Sequence, residues 1–246
     1  MELTGKTILV TGAAKRLGAA IARAAHGEEA NIVIHFRNSR APADILCAEL
    51  NDVRKNSALA IQADLLDTQS HAGLIDQAVA AFGRLDVLVN NASTFYRTPV
   101  GTITEEQWKD LMGTNLKAPL FLSQAAAPEL RRNKGLILNM IDIHGQRPLI
   151  EHPVYSIAKA GLVMLTKSLA RELGPDIRVN GLAPGPVLWP EIDLDSSLKD
   201  EIIAKTVLKR SGSPDDVAKA AIYFMRDAPF VTGQVLAVDG GRSVGW

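Results

Sequence analysis

Seven short apolar runs recur along the chain, and each is followed or preceded by a longer stretch of helical period: "TILV" at 7–10, "NIVIHF" at 31–36, "ALAIQ" at 58–62, "DVLVN" at 86–90, "LILNM" at 136–140, "IRVNGL" at 177–182 and "QVLAV" at 234–238. They are rich in Val, Ile and Leu and do not alternate with polar residues, which is how strands read when both faces of a parallel sheet are covered. The stretches between them carry helix signals. "TITEEQW" offers Thr102 as a cap with glutamates in the first turn, and "SPDD" at 213–216 places Pro214 at the first helical position behind Ser213. Parallel strands joined by helices through right-handed crossovers predict an α/β fold, a doubly wound seven-stranded parallel sheet with helices on both faces. With no internal repeat, low-complexity tract or linker, residues 1–246 are expected to form one domain.

Lys plus Arg and Asp plus Glu number 27 each, so no net field draws the chain to nucleic acid or to an anionic membrane, and a small molecule is the expected partner. The single cysteine, Cys47, cannot form an internal disulfide, which fits a reducing compartment. The first run is too short for a signal peptide or a span, and no longer apolar run reaches ~18 residues without a charge; a cytoplasmic location is expected. His144 and His152 have no partners at metal-ligand spacing, so no metal is assigned.

Between the first run and the next helical stretch stands "TGAAKRLG", Thr11 to Gly18. Gly12 can make the tight turn and Gly18 lets the helix approach the sheet, leaving helix N-terminal amides to face a pyrophosphate; Arg16 stands where a further glycine is usual. A strand-to-helix turn without a ligand would look similar, but its place after the first strand favours a dinucleotide. At the end of the second strand, an acid would hold a ribose 2′-hydroxyl. The segment instead offers His35, Arg37, Asn38, Ser39 and Arg40, with no acid before Asp44, which favours a 2′-phosphate and hence NADP, unless the two arginines are ordinary solvated charges. Asp64, after the third run, can accept from an adenine amino group, while Asp67 or Thr68 is the better helix cap.

These segments, with "NNAS" at 90–93, Asn115 in "GTNLKAP", "YSIAK" at 155–159, "APGPV" at 183–187 and "VDGG" at 238–241, resemble the short-chain dehydrogenase/reductase family over essentially the whole chain. Within it, "TGAAKRLG", the "HF" pair followed by Arg37 and Ser39, "NNASTFYRTP" and the order Asp142, Tyr155, Lys159 look like the pteridine reductases. The resemblance implies a Rossmann-type fold, NADPH as cofactor, and pterin or folate as substrate. It places the cofactor against Gly12, Arg16, Leu17, Gly18, His35, Arg37, Asn38 and Ser39, then Asp64, Leu65, Asn91, Ala92 and Ser93. Tyr155, Lys159, Pro184, Gly185 and Val187 complete that set. For the substrate it implies Arg16, Ser93, Phe95, Asp142, Tyr155, Leu188 and Trp189, with the last two on a covering loop. Phe95 would be an aromatic shelf under the pterin, or else a buried aromatic without function. Asn115 resembles the family's relay asparagine behind Lys159, and a homotetramer through helices near 104–127 and 152–173 is implied as well.

The residues support an enzyme on their own terms. Tyr155 and Lys159 at i, i+4 share a helix face, so an ammonium can assist proton delivery from the phenol. Most family members carry a serine donor where this chain has Asp142. An ionised carboxylate only accepts, and it opposes the oxyanion that carbonyl reduction creates. Reduction of a C=N bond needs a proton on nitrogen instead. Asp142 therefore favours a nitrogen heterocycle over a ketone, although it can also cap its own turn. Its charge raises the tyrosine pKa while Lys159 lowers it, and the sequence leaves that balance open. Two alternatives stand beside the pteridine reductase: a carbonyl reductase such as a 3-oxoacyl thioester reductase, and an NADPH-binding sensor without turnover.

Overall fold

The computed structural model describes residues 2–187 and 196–245. Seven parallel strands, β1 (Thr7–Val10), β2 (Asn31–Phe36), β3 (Ala58–Gln62), β4 (Val87–Asn90), β5 (Leu136–Met140), β6 (Arg178–Pro184) and β7 (Val235–Val238), form one sheet in the order β3-β2-β1-β4-β5-β6-β7. The helices are α1 (Arg16–Gly27), α2 (Arg40–Val53), α3 (Ser70–Phe82), α4 (Glu105–Met112), α5 (Ala118–Arg132), α6 (Pro153–Leu173), α7 (Ser196–Ala204) and α8 (Pro214–Ile222).

Neighbouring residues of one strand serve opposite layers, which is why the strand runs are continuously apolar. Ile8, Val10, Ile32, Ile34, Val87 and Val89 pack under α1, α2 and α8. Leu9, Val33, Leu88 and Ile137 pack on the other face with α3 and α5, and Leu9 lies opposite both Val33 and Leu88 in the ladder. The strand order reverses between β1 and β4, so the crevice beyond their carboxyl ends is where this fold takes a ligand.

Strand boundaries differ from the sequence reading by one or two residues. Asp86 stays outside β4 because its buried carboxylate accepts from the Thr7 amide and pairs with Arg84 and Lys6. β6 runs on to Pro184, in register with Val238. The cap of α4 is Thr104, not Thr102: Thr104 is extended (φ −105°, ψ 160°) and closes a capping box with Gln107, while the Thr102 hydroxyl donates to the Pro99 carbonyl. Ser213 caps α8 as expected, in a second capping box with Asp216. Among the described residues no helix is long and apolar enough to cross a membrane.

Candidate active site

At the carboxyl end of β1, Gly12 has φ +60°, and a Cβ there would sit 3.0 Å from the Ala92 Cα. At Gly18 a Cβ would lie 2.6 Å from both Asn91 Nδ2 and the Gly12 carbonyl oxygen. The turn is thus pressed against the exit of β4. Asn91 holds it there: its Nδ2 donates to the Thr11 carbonyl at 2.8 Å, and the amides of Asn91 and Ala92 both donate to Thr11 Oγ1 at 2.9 Å. Arg16 is left-handed, φ +57°, a conformation that favours glycine and explains why an arginine here is a departure.

The helix termini at this edge suit an anion. α1 begins behind Lys15 with no side-chain cap and no acid in its first turn, and α2 begins behind Ser39, whose hydroxyl makes no capping bond, again without an acid. α4 and α8 each close a capping box with two acids in the first turn, while α3, α5 and α6 begin uncapped like α1 and α2, so what marks α1 and α2 is their place beyond the ends of β1 and β2. Uncapped, acid-free N-termini leave backbone donors and positive dipole ends for phosphate groups. Arg37 and Asn38 are exposed beside them. Arg40 lies over the Phe36 ring and pairs loosely with Asp44 at 4.0 Å. At the end of β3, Asp64 is exposed and spends Oδ1 on the Leu66 amide, leaving Oδ2 for a ligand donor, while Asp67 braces the entry to α3. These residues fit a dinucleotide bearing a 2′-phosphate. Leu65 is buried in the core, Pro184 and Gly185 are half-buried, and Val187 is buried at the exit of β6.

The candidate reactive group lies where β5 meets α6. Asp142 is extended and spends one oxygen on the His144 amide at 2.8 Å; its other oxygen accepts from the Tyr155 hydroxyl at 2.8 Å. The turn-capping and the tyrosine-binding roles expected of Asp142 are both filled, one by each oxygen. Lys159 is buried, donates to the Met140 carbonyl at 2.9 Å, and stands 5.6 Å from the centre of the Tyr155 ring. Burial, then the Asp142 charge and hydrogen bond, push the Tyr155 hydroxyl well above its ordinary pKa, with Ser93 acting weakly in the other direction. Burial lowers Lys159 to about 8, against the pull of Asp142. The balance left open by the sequence thus falls on the side of a protonated phenol, oriented as a donor.

Asn115 sits in a π-helical turn, Gly113–Lys117, between α4 and α5. Its Nδ2 donates to the carbonyls of Leu111 and Thr94, and its Oδ1 accepts from Ser93 Oγ at 2.6 Å. Its side chain therefore ties down the loop bearing Ser93 and Phe95. Phe95 is 46% exposed, so it is not a buried core aromatic. It stands roughly perpendicular to the Tyr155 ring, with ring centres 4.9 Å apart, and stacks on His152 at 4.7 Å and 11°. The sequence reading missed His152 as part of the site. Its spacing was the available signal, since it stands three residues before Tyr155 and so on the same face of the helix entry. Leu188 and Trp189 lie outside the described residues. Among the described residues no group of His, Cys, Asp or Glu is arranged to hold a metal ion.

A family model described as "Enoyl-(Acyl carrier protein) reductase" matches residues 12–243. Pteridine reductase 1 of Leishmania tarentolae is 36% identical, covering 98% of this chain and 97% of its own. A 3-oxoacyl-[acyl-carrier-protein] reductase of Staphylococcus aureus strain Mu50 is 34% identical, covering 98% and 99%. Among solved structures, a blue fluorescent protein from a metagenomic library, in complex with NADPH, superimposes with a TM-score of 0.92 at 33% identity, covering 98% of this chain and 99% of that one. With the doubly wound sheet, the glycine turn and the Tyr155–Lys159 pair in place, these matches mean that the chain belongs to the short-chain dehydrogenase/reductase family of oxidoreductases.

Proposed function

We propose that the protein is an NADPH-dependent pteridine reductase. The observation that carries this reading is the 2.8 Å hydrogen bond from the Tyr155 hydroxyl to Asp142. A carboxylate beside the proton donor repels a developing oxyanion, whereas it accepts well from the N–H and amino edges of a pterin. Bound NADPH would supply the hydride for a carbon of a ring C=N bond. Tyr155 delivers its proton to the adjacent nitrogen, and that nitrogen takes up the electron pair of the C=N bond. Buried Lys159 stabilises the tyrosinate that remains until a proton returns.

Arg37, Asn38 and Ser39 would hold the 2′-phosphate, and the amides at Arg16, Leu17 and Gly18 would take the pyrophosphate. Phe95 offers its open face to a flat heterocycle, its other face being backed by His152. The similarity to the Leishmania pteridine reductase supports the substrate class. Incubating the purified protein with NADPH and biopterin, dihydrobiopterin or dihydrofolate, and following loss of the reduced cofactor's absorbance, tests the reading. Turnover of at least one is expected, and none with any of them would overturn it.

The Staphylococcus relative supports a second reading, reduction of 3-oxoacyl thioesters, for which Asp142 is the obstacle. A homotetramer is part of the same proposal. Trp108, Leu120 and Phe121 on α4 and α5, with Ile157 and Met164 on α6, are large apolar side chains left open to solvent in the single chain.

A further inference from the structure

The side chain of His35 points inward. It is 2% exposed at the end of β2, and its two ring nitrogens bind two other strand exits. Nδ1 lies 3.2 Å from the Gly12 amide, and Nε2 lies 3.1 Å from the Ala63 carbonyl oxygen. An amide N–H only donates and a carbonyl only accepts, so both bonds are satisfied by one neutral tautomer, bare at Nδ1 and protonated at Nε2. The backbone of the same residue binds the next amide, Ala13 N to His35 O at 2.9 Å. Gly12 and Ala13 of the glycine turn are therefore both registered on a single residue of β2.

That residue stands immediately before Phe36, the exposed Arg37 and Asn38 and the half-buried Ser39, and the Ala63 carbonyl it holds immediately precedes Asp64. We infer that His35 is a positioning residue for the cofactor, fixing the pyrophosphate turn against the 2′-phosphate loop and the adenine edge without itself touching the nucleotide. The inference rests on the NADPH reading above. The charged state would turn an N–H toward the Gly12 N–H and break the turn's bond. Burial, with His71 assisting and the Ala63 carbonyl and Asp64 opposing, holds the imidazole down at about 4, so it stays neutral at physiological pH.

Two substitutions separate the two bonds. The oxygen of His35→Asn falls near Nδ1 and can still accept from Gly12 but cannot reach Ala63. The nitrogen of His35→Gln falls near Nε2 and can still donate to Ala63 but leaves Gly12 unpaired. Dissociation constants for NADPH, read by fluorescence on wild type and both variants, give the test, with thermal melting as the control for folding. His35→Asn, which keeps the bond to the pyrophosphate turn and gives up only the tie beside the adenine edge, is expected to bind within about threefold of wild type, and His35→Gln, which leaves the turn's Gly12 amide unpaired, about tenfold more weakly. A loss of folded structure alone weakens both alike. Equal affinities in the two variants, or wild-type affinity in His35→Gln, overturn the inference. Absence of NADPH binding by the wild type is a different result; it overturns the cofactor reading itself, and this role with it.

Discussion

Replacing Lys159 by methionine separates what the ammonium does for proton transfer from what it does to the fold. The side chain is buried, and burial lowers its pKa from 10.5 to about 8. That displacement corresponds to about 3 kcal/mol disfavouring the charged form inside the protein. Against it stands the charge-assisted bond to the Met140 carbonyl, worth about 1.5–3 kcal/mol. Methionine fills a similar volume, so Lys159→Met is expected to be between roughly neutral and about 2 kcal/mol more stable at pH 7. In a chain of this length each kcal/mol moves the melting temperature by about 2–4 °C.

Activity should meanwhile fall about a hundredfold or more, as for loss of an assisting group in proton transfer. The pH dependence fixes the sign. The folded pKa lies below the unfolded one, so between about pH 8 and 10.5 the unfolded chain binds more protons and the wild type gains stability as pH rises. Melting both proteins at pH 7 and pH 10 isolates this group, because every other titration is shared. The wild-type minus variant difference should increase toward pH 10. A variant several kcal/mol less stable at pH 7, with a difference that does not change with pH, would refute the reasoning.

Arg37→Ala should lower the NADPH-to-NADH preference about tenfold, the value of one charge-assisted bond to the 2′-phosphate, measured as the ratio of kcat/KM for the two cofactors. An unchanged ratio would remove Arg37 from that role. Gly18→Ala places a methyl group 2.6 Å from Asn91 Nδ2 and the Gly12 carbonyl oxygen, so it should destabilise the chain by about 1–3 kcal/mol and weaken NADPH at least tenfold, read by denaturation and by titration. Light scattering in solution should give four times the 26.4 kDa chain mass, and a monomer would leave the open apolar faces of α4–α6 without the proposed cover.

The sheet was legible because parallel strands buried on both faces must be continuously apolar, and all seven runs became strands. Their ends were less legible. Asp86 reads as strand by its neighbours but is held at the sheet's lower edge by charges from Lys6 and Arg84. The wrong threonine looked like the cap of α4 because Thr102 and Thr104 both precede the glutamates, and only backbone geometry chooses between them. At the site, spacing put Tyr155 and Lys159 on one helix face, while the family resemblance brought Asp142 beside them and its charge set what it could do. The role of the Asn115 side chain as a loop tie could not be read, since it rests on a widened turn at 113–117 packed against α6 that no local sequence signal marks. Nor could the two histidines. His35 looked like part of a basic loop and instead turns under the strand exits, and His152 joined the site only through its stack on Phe95.

The central claim is that a carboxylate at position 142 selects a nitrogen heterocycle, and Asp142→Ser tests it most directly. The kcat/KM for dihydrobiopterin and for a 3-oxoacyl thioester should be measured with NADPH in wild type and variant. The wild type should prefer the pterin, and the serine, a donor where the carboxylate only accepted, should lower the pterin-to-thioester ratio by about a hundredfold. A wild type that prefers the thioester, or a ratio that survives the substitution unchanged, would contradict the account.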